Sequence, residues 1–201
     1  MEHDATDITL SYYDANAQAF TNSTRDVEFS AMRERFTSLL DPGARILDLG
    51  CGSGRDTKAF HDAGFDVTAT DGSAELCRTA SEFCGIPVRH ELFQSLHDVN
   101  AYDGVWACSS ILHLPKDQLA NVLRHIDRAL KPRGIVYTSF KHGDFEGMRN
   151  GRFFTDFTEP TFRAFLAVAT PSLAIEQLWT TTDVRPGRED ERWLNVILRK
   201  S

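Results

Sequence analysis

The feature that most constrains this chain is a run of alternating glycines at the end of a short apolar stretch. Ile46 and Leu47 are typical of a buried strand. Three glycines follow at alternate positions, Gly50, Gly52 and Gly54. Because glycine tolerates positive φ and has no Cβ, the backbone here can turn sharply and lie against a ligand. A helical pattern over 57–63, ended by Gly64, follows at once. The stretch therefore predicts a strand, a glycine turn and a helix whose first N–H groups point into the turn.

Two ligand classes compete for such a turn, dinucleotides and ligands that carry an amine. The dinucleotide fingerprint needs a third glycine three places after the second, and Arg55 occupies that place. Asp48, just before the turn, would repel a pyrophosphate and attract an ammonium group, unless it only ties neighbouring backbone amides. Asp71 ends the next predicted strand, where a carboxylate can accept both hydroxyls of a ribose, unless it is simply solvated. A ligand with an amine at Asp48 and a ribose at Asp71 fits S-adenosylmethionine better than NAD.

The length and the charge of the chain limit its partners. At 201 residues the chain favours one domain with a proper core. The net charge of −7 weighs against a nucleic acid as the main partner, because nucleic-acid binders usually present a basic face. No apolar run approaches the ~20 residues of a membrane span, and the start of the sequence lacks a signal-peptide pattern. The four cysteines have no zinc spacing. We therefore expect a cytoplasmic protein with no metal, no membrane partner and no nucleic-acid partner.

Hydrophobic periodicity predicts alternating strands and helices over most of the chain. Residues 7–40 are predicted to be helical with a break near 21–24, the second helix spanning about 27–40. The strands that follow are expected at 46–49, 66–70, 87–92, 104–108 and 134–140, with helices at 55–63, 73–84 and 116–130. A further helix begins near Thr158, and a hairpin of about 174–181 and 193–199 ends the chain. Such alternation implies a parallel sheet with right-handed crossovers.

Four motifs in this order resemble those of the class I S-adenosylmethionine-dependent methyltransferases. They are the glycine turn at 46–54, the acidic Asp71, the Tyr-Asp-Gly-Val-Trp-Ala-Cys stretch at 102–108 and the Leu-Lys-Pro-Arg-Gly-Ile-Val turn at 130–136. The resemblance implies a Rossmann-like, seven-stranded, mostly parallel sheet with an antiparallel C-terminal hairpin and helices on both faces. It also implies a single domain over 1–201. We expect a helical cap at 1–44, a cofactor-binding core at 45–140, and an acceptor-side segment and hairpin at 141–201.

The candidate cofactor residues gather where ligands lie in open α/β sheets, outside the carboxyl ends of the strands. Phe93 is expected to cover the adenine and Gln94 to meet its edge, although many relatives carry an acidic residue there. Backbone carbonyls near Cys108 are expected to accept from the methionine ammonium. Arg25 either pairs with the cofactor carboxylate or is an ordinary surface arginine. The candidate set is Asp48, Gly50, Cys51, Gly52, Gly54, Asp71, Gly72, Phe93, Gln94, Cys108, Tyr13 and Arg25.

The candidate catalytic residues are His113 and Tyr13. The stretch 11–20 resembles the entry helix that caps the cofactor cleft in many small-molecule methyltransferases; alternatively, its aromatic residues only bury surface. His113 follows the fourth predicted strand and could take a proton near neutral pH, or it is a satisfied structural residue. A base is needed only if the nucleophile arrives protonated. Other candidates for that base are Lys141, His142 and Asp144.

The resemblance implies in-line transfer of a methyl group from S-adenosylmethionine to an acceptor. Residues 108–111 read Cys-Ser-Ser-Ile and lack the "NPPY"-like motif of enzymes that methylate adenine or glutamine amines. We therefore expect a small-molecule acceptor, bound between the charged segments 141–152 and 183–192. The alternatives are a regulatory or scaffold protein that binds S-adenosylmethionine or S-adenosylhomocysteine without turnover, and an NAD-dependent oxidoreductase.

Overall fold

A computed structural model of the chain describes residues 5–185 and 187–201, so the predicted cap at 1–44 is described from residue 5 onward. This part of the chain forms nine strands: β1 (Arg45–Leu49), β2 (Asp66–Asp71), β3 (Val88–His90), β4 (Tyr102–Ala107), β5 (Leu130–Lys141), β6 (Glu146–Arg149), β7 (Arg152–Thr155), β8 (Leu173–Thr182) and β9 (Arg192–Lys200). Seven of them form one sheet in the order β3-β2-β1-β4-β5-β9-β8. The first five strands in that order pair in parallel, and β9 pairs antiparallel with both β5 and β8. The predicted fold class is confirmed.

Helices cover both faces of this sheet. They are α1 (Ala5–Thr24), α2 (Ser30–Thr37), α3 (Arg55–Asp62), α4 (Ala74–Cys84), α5 (Lys116–Ala129) and α6 (Glu159–Ala169), with short 3-10 turns at Phe93–Ser95 and Ile111–His113. Successive strand residues point to opposite faces. Val136 therefore packs with Leu123 of α5 and Phe162 of α6 on one face. Ile135 packs with Phe36 and Phe60, from α2 and α3, on the other.

Local sequence signals explain where α4 begins and ends. The Ser73 side chain accepts a hydrogen bond from the backbone N–H of Leu76, as a helix N-cap residue does. Gly85 closes the helix in the left-handed conformation, with φ of 75°. Because the N-terminal end of α4 follows β2 directly, these signals also hold Asp71 and Gly72 at the ligand edge of the sheet.

The structure corrects three predicted elements. The strand predicted at 87–92 pairs only over Val88–His90, and the helix predicted at about 27–40 spans Ser30–Thr37. The segment 141–152 contains β6, and β6 pairs with β7 in a hairpin that the sequence reading did not predict. Asn150 and Gly151 form its two-residue loop with φ of 51° and 77°, the conformation in which Asn-Gly loops join strands.

No helix in the described ranges is both long enough and apolar enough to cross a membrane.

Candidate cofactor and acceptor site

One deep cavity lies at the carboxyl ends of β1, β2, β4 and β5, next to the point where the strand order reverses. The glycine turn forms its floor, α1 covers it, and the hairpin β6-β7 and the connection between β8 and β9 close the far end. Of the predicted site residues, the cavity is lined by Tyr13, Asp48, Gly50, Cys51, Gly52, Asp71, Gly72, Phe93, Gln94, Cys108 and His113. The rule that ligands bind at such a switch point makes this cavity the candidate site.

The glycine turn is held against β2 by its own backbone. The N–H groups of Gly50 and Cys51 both donate to the carbonyl of Thr70, each at 2.9 Å. Gly50 has a φ of +80°, and a Cβ there would lie 2.6 Å from Cβ of Ser110. Real Cβ atoms do not approach that closely, so this position requires glycine for both its conformation and its space. The turn therefore brings backbone, without side chains, to the cavity wall.

Asp71 is fixed at the end of β2 by backbone donors. One carboxylate oxygen accepts from the N–H of Gly52 at 2.8 Å, and the other accepts from the N–H of Ser73 at 2.9 Å. Burial raises the pKa of Asp71, while these two hydrogen bonds lower it. Each oxygen keeps a further lone pair. The carboxylate is thus oriented and still able to accept the two hydroxyls of a ribose.

Asp48 and Asp56 lie side by side beneath the turn and carry different charges. Asp48 accepts from the hydroxyl of Thr57 at 2.6 Å, and burial, followed by the repulsion of Asp56, raises the pKa of Asp48 to about 8. Asp56 is also buried, but the guanidinium groups of Arg55 and Arg33 lower its pKa. The sequence reading missed this cluster, although the acidic Asp56 next to Arg55 was visible. Asp48 is neutral without a ligand at pH 7, and a cation in the cavity would favour its ionised form.

Phe93 and Gln94 lie on the 3-10 turn after β3, beside the glycine turn. The Phe93 ring packs over Gly50, where an added Cβ would lie 3.0 Å from Cε1. The amide nitrogen of Gln94 donates to Oε1 of Gln118 at 3.2 Å, which leaves Oε1 of Gln94 buried without a partner among the described residues. This oxygen is an acceptor of the kind that an adenine amine requires.

The helix α1 lies over the cofactor half of the cavity and is tied to it by polar contacts. Asp14 accepts from the hydroxyl of Ser73 at 2.6 Å, and Thr9 accepts from the backbone N–H of Phe153 at 3.0 Å. Phe20 packs against Gly52 and Leu10 against Gly72, so that a Cβ on either glycine would meet them at 3.0 Å and 2.7 Å. The absence of a side chain at Gly52 and Gly72 therefore lets α1 pack closely on the cavity wall.

Tyr13 and His113 are hydrogen-bonded at the cavity, and their contacts determine the tautomer of His113 and the direction of the bond. Nδ1 of His113 lies 2.6 Å from the carbonyl oxygen of Phe153, which can only accept, so Nδ1 carries the proton. Nε2 must then accept, and the Tyr13 hydroxyl donates to it at 2.8 Å. Burial lowers the pKa of His113 to about 4, with a further contribution from the charge of Arg152, and burial raises the pKa of Tyr13. The histidine is therefore a neutral acceptor at physiological pH.

Lys141 stands at the far end of the cavity, where β5 ends. Its ammonium group lies 3.6 Å from Oδ2 of Asp183, contacts Glu191 and sits 4.2 Å from the centre of the Trp193 ring. Burial lowers the pKa of Lys141 to about 8. The Asp183 carboxylate is itself held by the guanidinium of Arg185, which lowers its pKa strongly. A lysine in such surroundings exchanges protons more readily near neutral pH than a solvated one.

Several predicted residues lie away from the cavity lining. Gly54 packs against Ala80 of α4, where an added Cβ would meet Cβ of Ala80 at 3.1 Å. The Arg25 guanidinium lies 4.1 Å from the centre of the Phe83 ring, and its role with the cofactor stays a prediction. His142 and Asp144 are exposed and outside the lining. Cys108 lines the cavity, and burial raises the pKa of its thiol to about 12.

Arg152, which lies in the segment 141–152 that was expected on the acceptor side, lines the cavity. Phe154 also lines it and was missed as a site residue because the hairpin that carries it was not predicted.

The fold and the cavity define a Rossmann-like α/β protein with a candidate ligand site at the carboxyl edge of its sheet. Residues 46–134 match the family model described as a methyltransferase domain. Among solved structures, the fold is similar to 1,6-didemethyltoxoflavin-N1-methyltransferase of Burkholderia thailandensis, bound to 1,6-didemethyltoxoflavin and S-adenosylhomocysteine. The TM-score is 0.74 at 24% identity, over 98% of this chain and 87% of that one. The chain is thus similar to the class I S-adenosylmethionine-dependent methyltransferases, over residues 46–134 in sequence and over nearly its whole length in fold.

Curated relatives match in sequence over part of the chain. The ubiquinone biosynthesis O-methyltransferase of Xanthomonas campestris is 36% identical over 106 residues, which are 49% of this chain and 43% of the relative. The demethylmenaquinone methyltransferase of Renibacterium salmoninarum is 30% identical over 145 residues, 65% of this chain and 54% of the relative. The chain thus spans about half the length of these relatives.

Proposed function

We propose that this protein transfers the methyl group of S-adenosylmethionine to a small-molecule acceptor. The observation that carries the proposal is the continuity of the cavity, which joins the Asp71 carboxylate at one end to the Tyr13–His113 pair and Lys141 at the other. S-adenosylmethionine supplies an electrophilic methyl group on sulfur when it is bound. The protein mainly has to align the acceptor with that group, because the sulfonium already provides the driving force.

The residues of this cavity suit the three parts of the cofactor. The free lone pairs of Asp71 fit the ribose hydroxyls, and Oε1 of Gln94 fits the adenine amine beside Phe93. Asp48 and the carbonyl groups near Cys108 fit the methionine ammonium. The backbone of Gly50 and its neighbours leaves room for the ribose and the methionine chain.

The acceptor side is assigned to the end formed by the hairpin β6-β7 and the connection between β8 and β9. Lys141, Arg152, Asp183, Arg185 and Arg188 line the cavity there. These positions support the expectation that the segments 141–152 and 183–192 choose the acceptor. His113 is a weak general base at pH 7, since its pKa is about 4. Tyr13 therefore positions the acceptor by accepting a hydrogen bond while it donates to His113.

The relatives' names support a small molecule as acceptor, because one name refers to ubiquinone biosynthesis and the other to demethylmenaquinone. A cytoplasmic location and the absence of nucleic-acid, membrane and metal partners stay predictions from the sequence. The alternative function is binding of S-adenosylmethionine or S-adenosylhomocysteine without turnover.

The test has two stages. Calorimetric titration with S-adenosylhomocysteine measures the cofactor site first, and we expect saturable one-to-one binding. The protein is then incubated with S-adenosylmethionine and a panel of phenols, catechols, quinols and aromatic carboxylates, and S-adenosylhomocysteine formation is measured. Acceptor-dependent product supports the enzyme. Binding without product, for this panel and for tRNA and duplex DNA as macromolecular acceptors, supports the binding protein instead.

A further inference from the structure

Arg152 begins β7 and lines the acceptor end of the cavity. The central carbon of its guanidinium lies 4.6 Å from the centre of the Tyr12 ring, 5.7 Å from that of Tyr13 and 5.2 Å from that of Phe154. Aromatic faces attract a guanidinium and hold its plane. The hairpin itself is fixed by the bonds of Phe153 to Thr9 and His113. The group is therefore held in place and is not a freely moving surface side chain.

The other cations that line the cavity have acidic partners. Arg55 pairs with Asp56 at 2.7 Å, and Arg185 pairs with Asp183 at 2.5 Å. Lys141 shares Asp183 and Glu191, and Arg188 lies 3.6 Å from Glu191. These pairs balance the charge at their own positions in the cavity wall.

Arg152 has no such partner among the residues that the structure describes. Within the described ranges 5–185 and 187–201, its polar contact is the Tyr13 hydroxyl, 3.4 Å from Nη1, and its Nε is buried without a hydrogen-bond partner. The Tyr13 oxygen compensates little, because Tyr13 is neutral and its hydroxyl group donates its hydrogen bond to His113. A cation that is partly removed from water without a counter-charge is costly. An oxygen anion in the cavity would remove that cost.

The chemistry of Arg152 selects the kind of anion. A guanidinium presents parallel N–H groups that match the two oxygens of a carboxylate. His113 cannot supply charge, since it is neutral, and Tyr13 keeps its proton. Among the residues that the structure describes, the guanidinium of Arg152 is thus the positive charge of the acceptor end that lacks an acidic partner, and it lies next to an aromatic wall of Tyr13, His113 and Phe154.

We propose that the acceptor of this protein is a small aromatic or conjugated molecule with a negatively charged oxygen group, and that Arg152 binds that group. The proposal rests on the function proposed above and names its substrate class. Arg152 then sets the position of the acceptor along the cavity, and Tyr13 orients the remainder of the molecule.

The competing occupant of Arg152 is the carboxylate of the cofactor itself. The two possible occupants predict different effects of Arg152→Gln on the affinity for S-adenosylhomocysteine. If the arginine serves the acceptor, affinity for S-adenosylhomocysteine stays within about twofold of wild type. A loss of tenfold or more would assign Arg152 to the cofactor and overturn the proposal.

The test uses protein saturated with S-adenosylhomocysteine and matched pairs of probes. Each pair is a carboxylate and its neutral amide: salicylate and salicylamide, 4-hydroxybenzoate and 4-hydroxybenzamide, 3,4-dihydroxybenzoate and 3,4-dihydroxybenzamide. Titration calorimetry measures both members of each pair. We expect the carboxylate to bind at least tenfold more tightly in one pair or more. Arg152→Gln should abolish that preference, and Arg152→Lys should retain part of it.

Arg163→Gln is the matched control, because it removes the same charge from the exposed side of α6, where Arg163 pairs with Glu159. It should leave the carboxylate preference unchanged. Thermal unfolding and S-adenosylhomocysteine affinity show whether each variant is folded. Absence of a carboxylate preference in wild type, or a preference that survives Arg152→Gln, overturns the proposal. Failure of wild type to bind S-adenosylhomocysteine is a different result and refutes the proposed function itself.

Discussion

The hydroxyl of Tyr13 and Nε2 of His113 lie 2.8 Å apart, although a hundred positions separate the two residues in the chain. The hydrogen bond joins α1 to the 3-10 turn after β4, and it closes the cavity above the sheet. Since His113 also donates to the Phe153 carbonyl, one imidazole ties three separate segments together. Its protonation state therefore affects both stability and the shape of the acceptor end.

The first prediction concerns acid sensitivity. The pKa of His113 is about 4 in the folded protein and about 6.5 in the unfolded chain. The unfolded state therefore binds more protons between these values, and stability is lost as the pH falls from 6.5 towards 4. The free energy of unfolding from urea titrations should fall by about 2 kcal/mol more in wild type than in His113→Gln between pH 7.5 and pH 5. Equal losses in both proteins would contradict the neutral, buried histidine.

The second prediction concerns the proton on Asp48. With a pKa of about 8, this carboxyl is protonated at pH 7, and an ammonium group beside it favours ionisation. S-adenosylhomocysteine should therefore bind more tightly as the pH rises from 6 to 8, with release of close to one proton at pH 7. Calorimetry in two buffers of different ionisation enthalpy measures that release. Asp48→Asn should abolish it, and a variant that still releases the proton would place the ammonium group elsewhere.

The third prediction tests the ribose contact. Asp71→Asn keeps the size of the side chain but replaces one acceptor oxygen with an amide donor facing the N–H of Gly52 or Ser73. Hydrogen bonds to a charged acceptor contribute about 1.5–3 kcal/mol each. Affinity for S-adenosylhomocysteine should fall at least tenfold. Asp66→Asn, at the exposed start of the same strand β2, is the control and should bind as wild type does. Unchanged affinity in Asp71→Asn would mean that the ribose is held by other residues.

The fourth prediction separates backbone strain from crowding in the glycine turn. Gly43 and Gly50 both have positive φ, +73° and +80°, but a Cβ on Gly43 meets nothing within 4 Å. Gly43→Ala should cost about 1–2 kcal/mol of stability from conformation alone. Gly50→Ala should cost about 1–3 kcal/mol more because its Cβ collides with Ser110, and it should lose S-adenosylhomocysteine binding. Equal unfolding free energies would show that the turn yields to a side chain.

The sequence predicted the parts of this molecule that depend on local order. Alternating strands and helices, the Ser73 cap and the glycine turn each follow from residues close together in the chain, and they appear in the expected order, with some strand and helix bounds corrected. The ligand edge of the sheet follows from topology, which is why Asp48, Asp71 and Phe93 reach one cavity.

The parts that the sequence reading missed depend on distant contacts or on a weak local signal. The partners of His113 come from α1 and β7, and no spacing rule relates them. Which arginines of the acceptor end have acidic partners is likewise decided by tertiary pairing. The hairpin β6-β7 was visible through Asn150 and Gly151, but its strands are only four residues long. The charged residues of the segment 141–152 indicated an acceptor-side segment but not its strands.

The tie between Thr9 and Phe153 has a consequence for how the molecule is made. The two residues are 144 positions apart, and ribosomes add about 5–20 residues per second. Thr9 is therefore synthesised about 7–29 seconds before Phe153, to which it is anchored. Throughout that interval the aromatic side of α1 has no cavity to cover. The covered site is thus completed late in synthesis, after β7 has formed and α1 can dock on it.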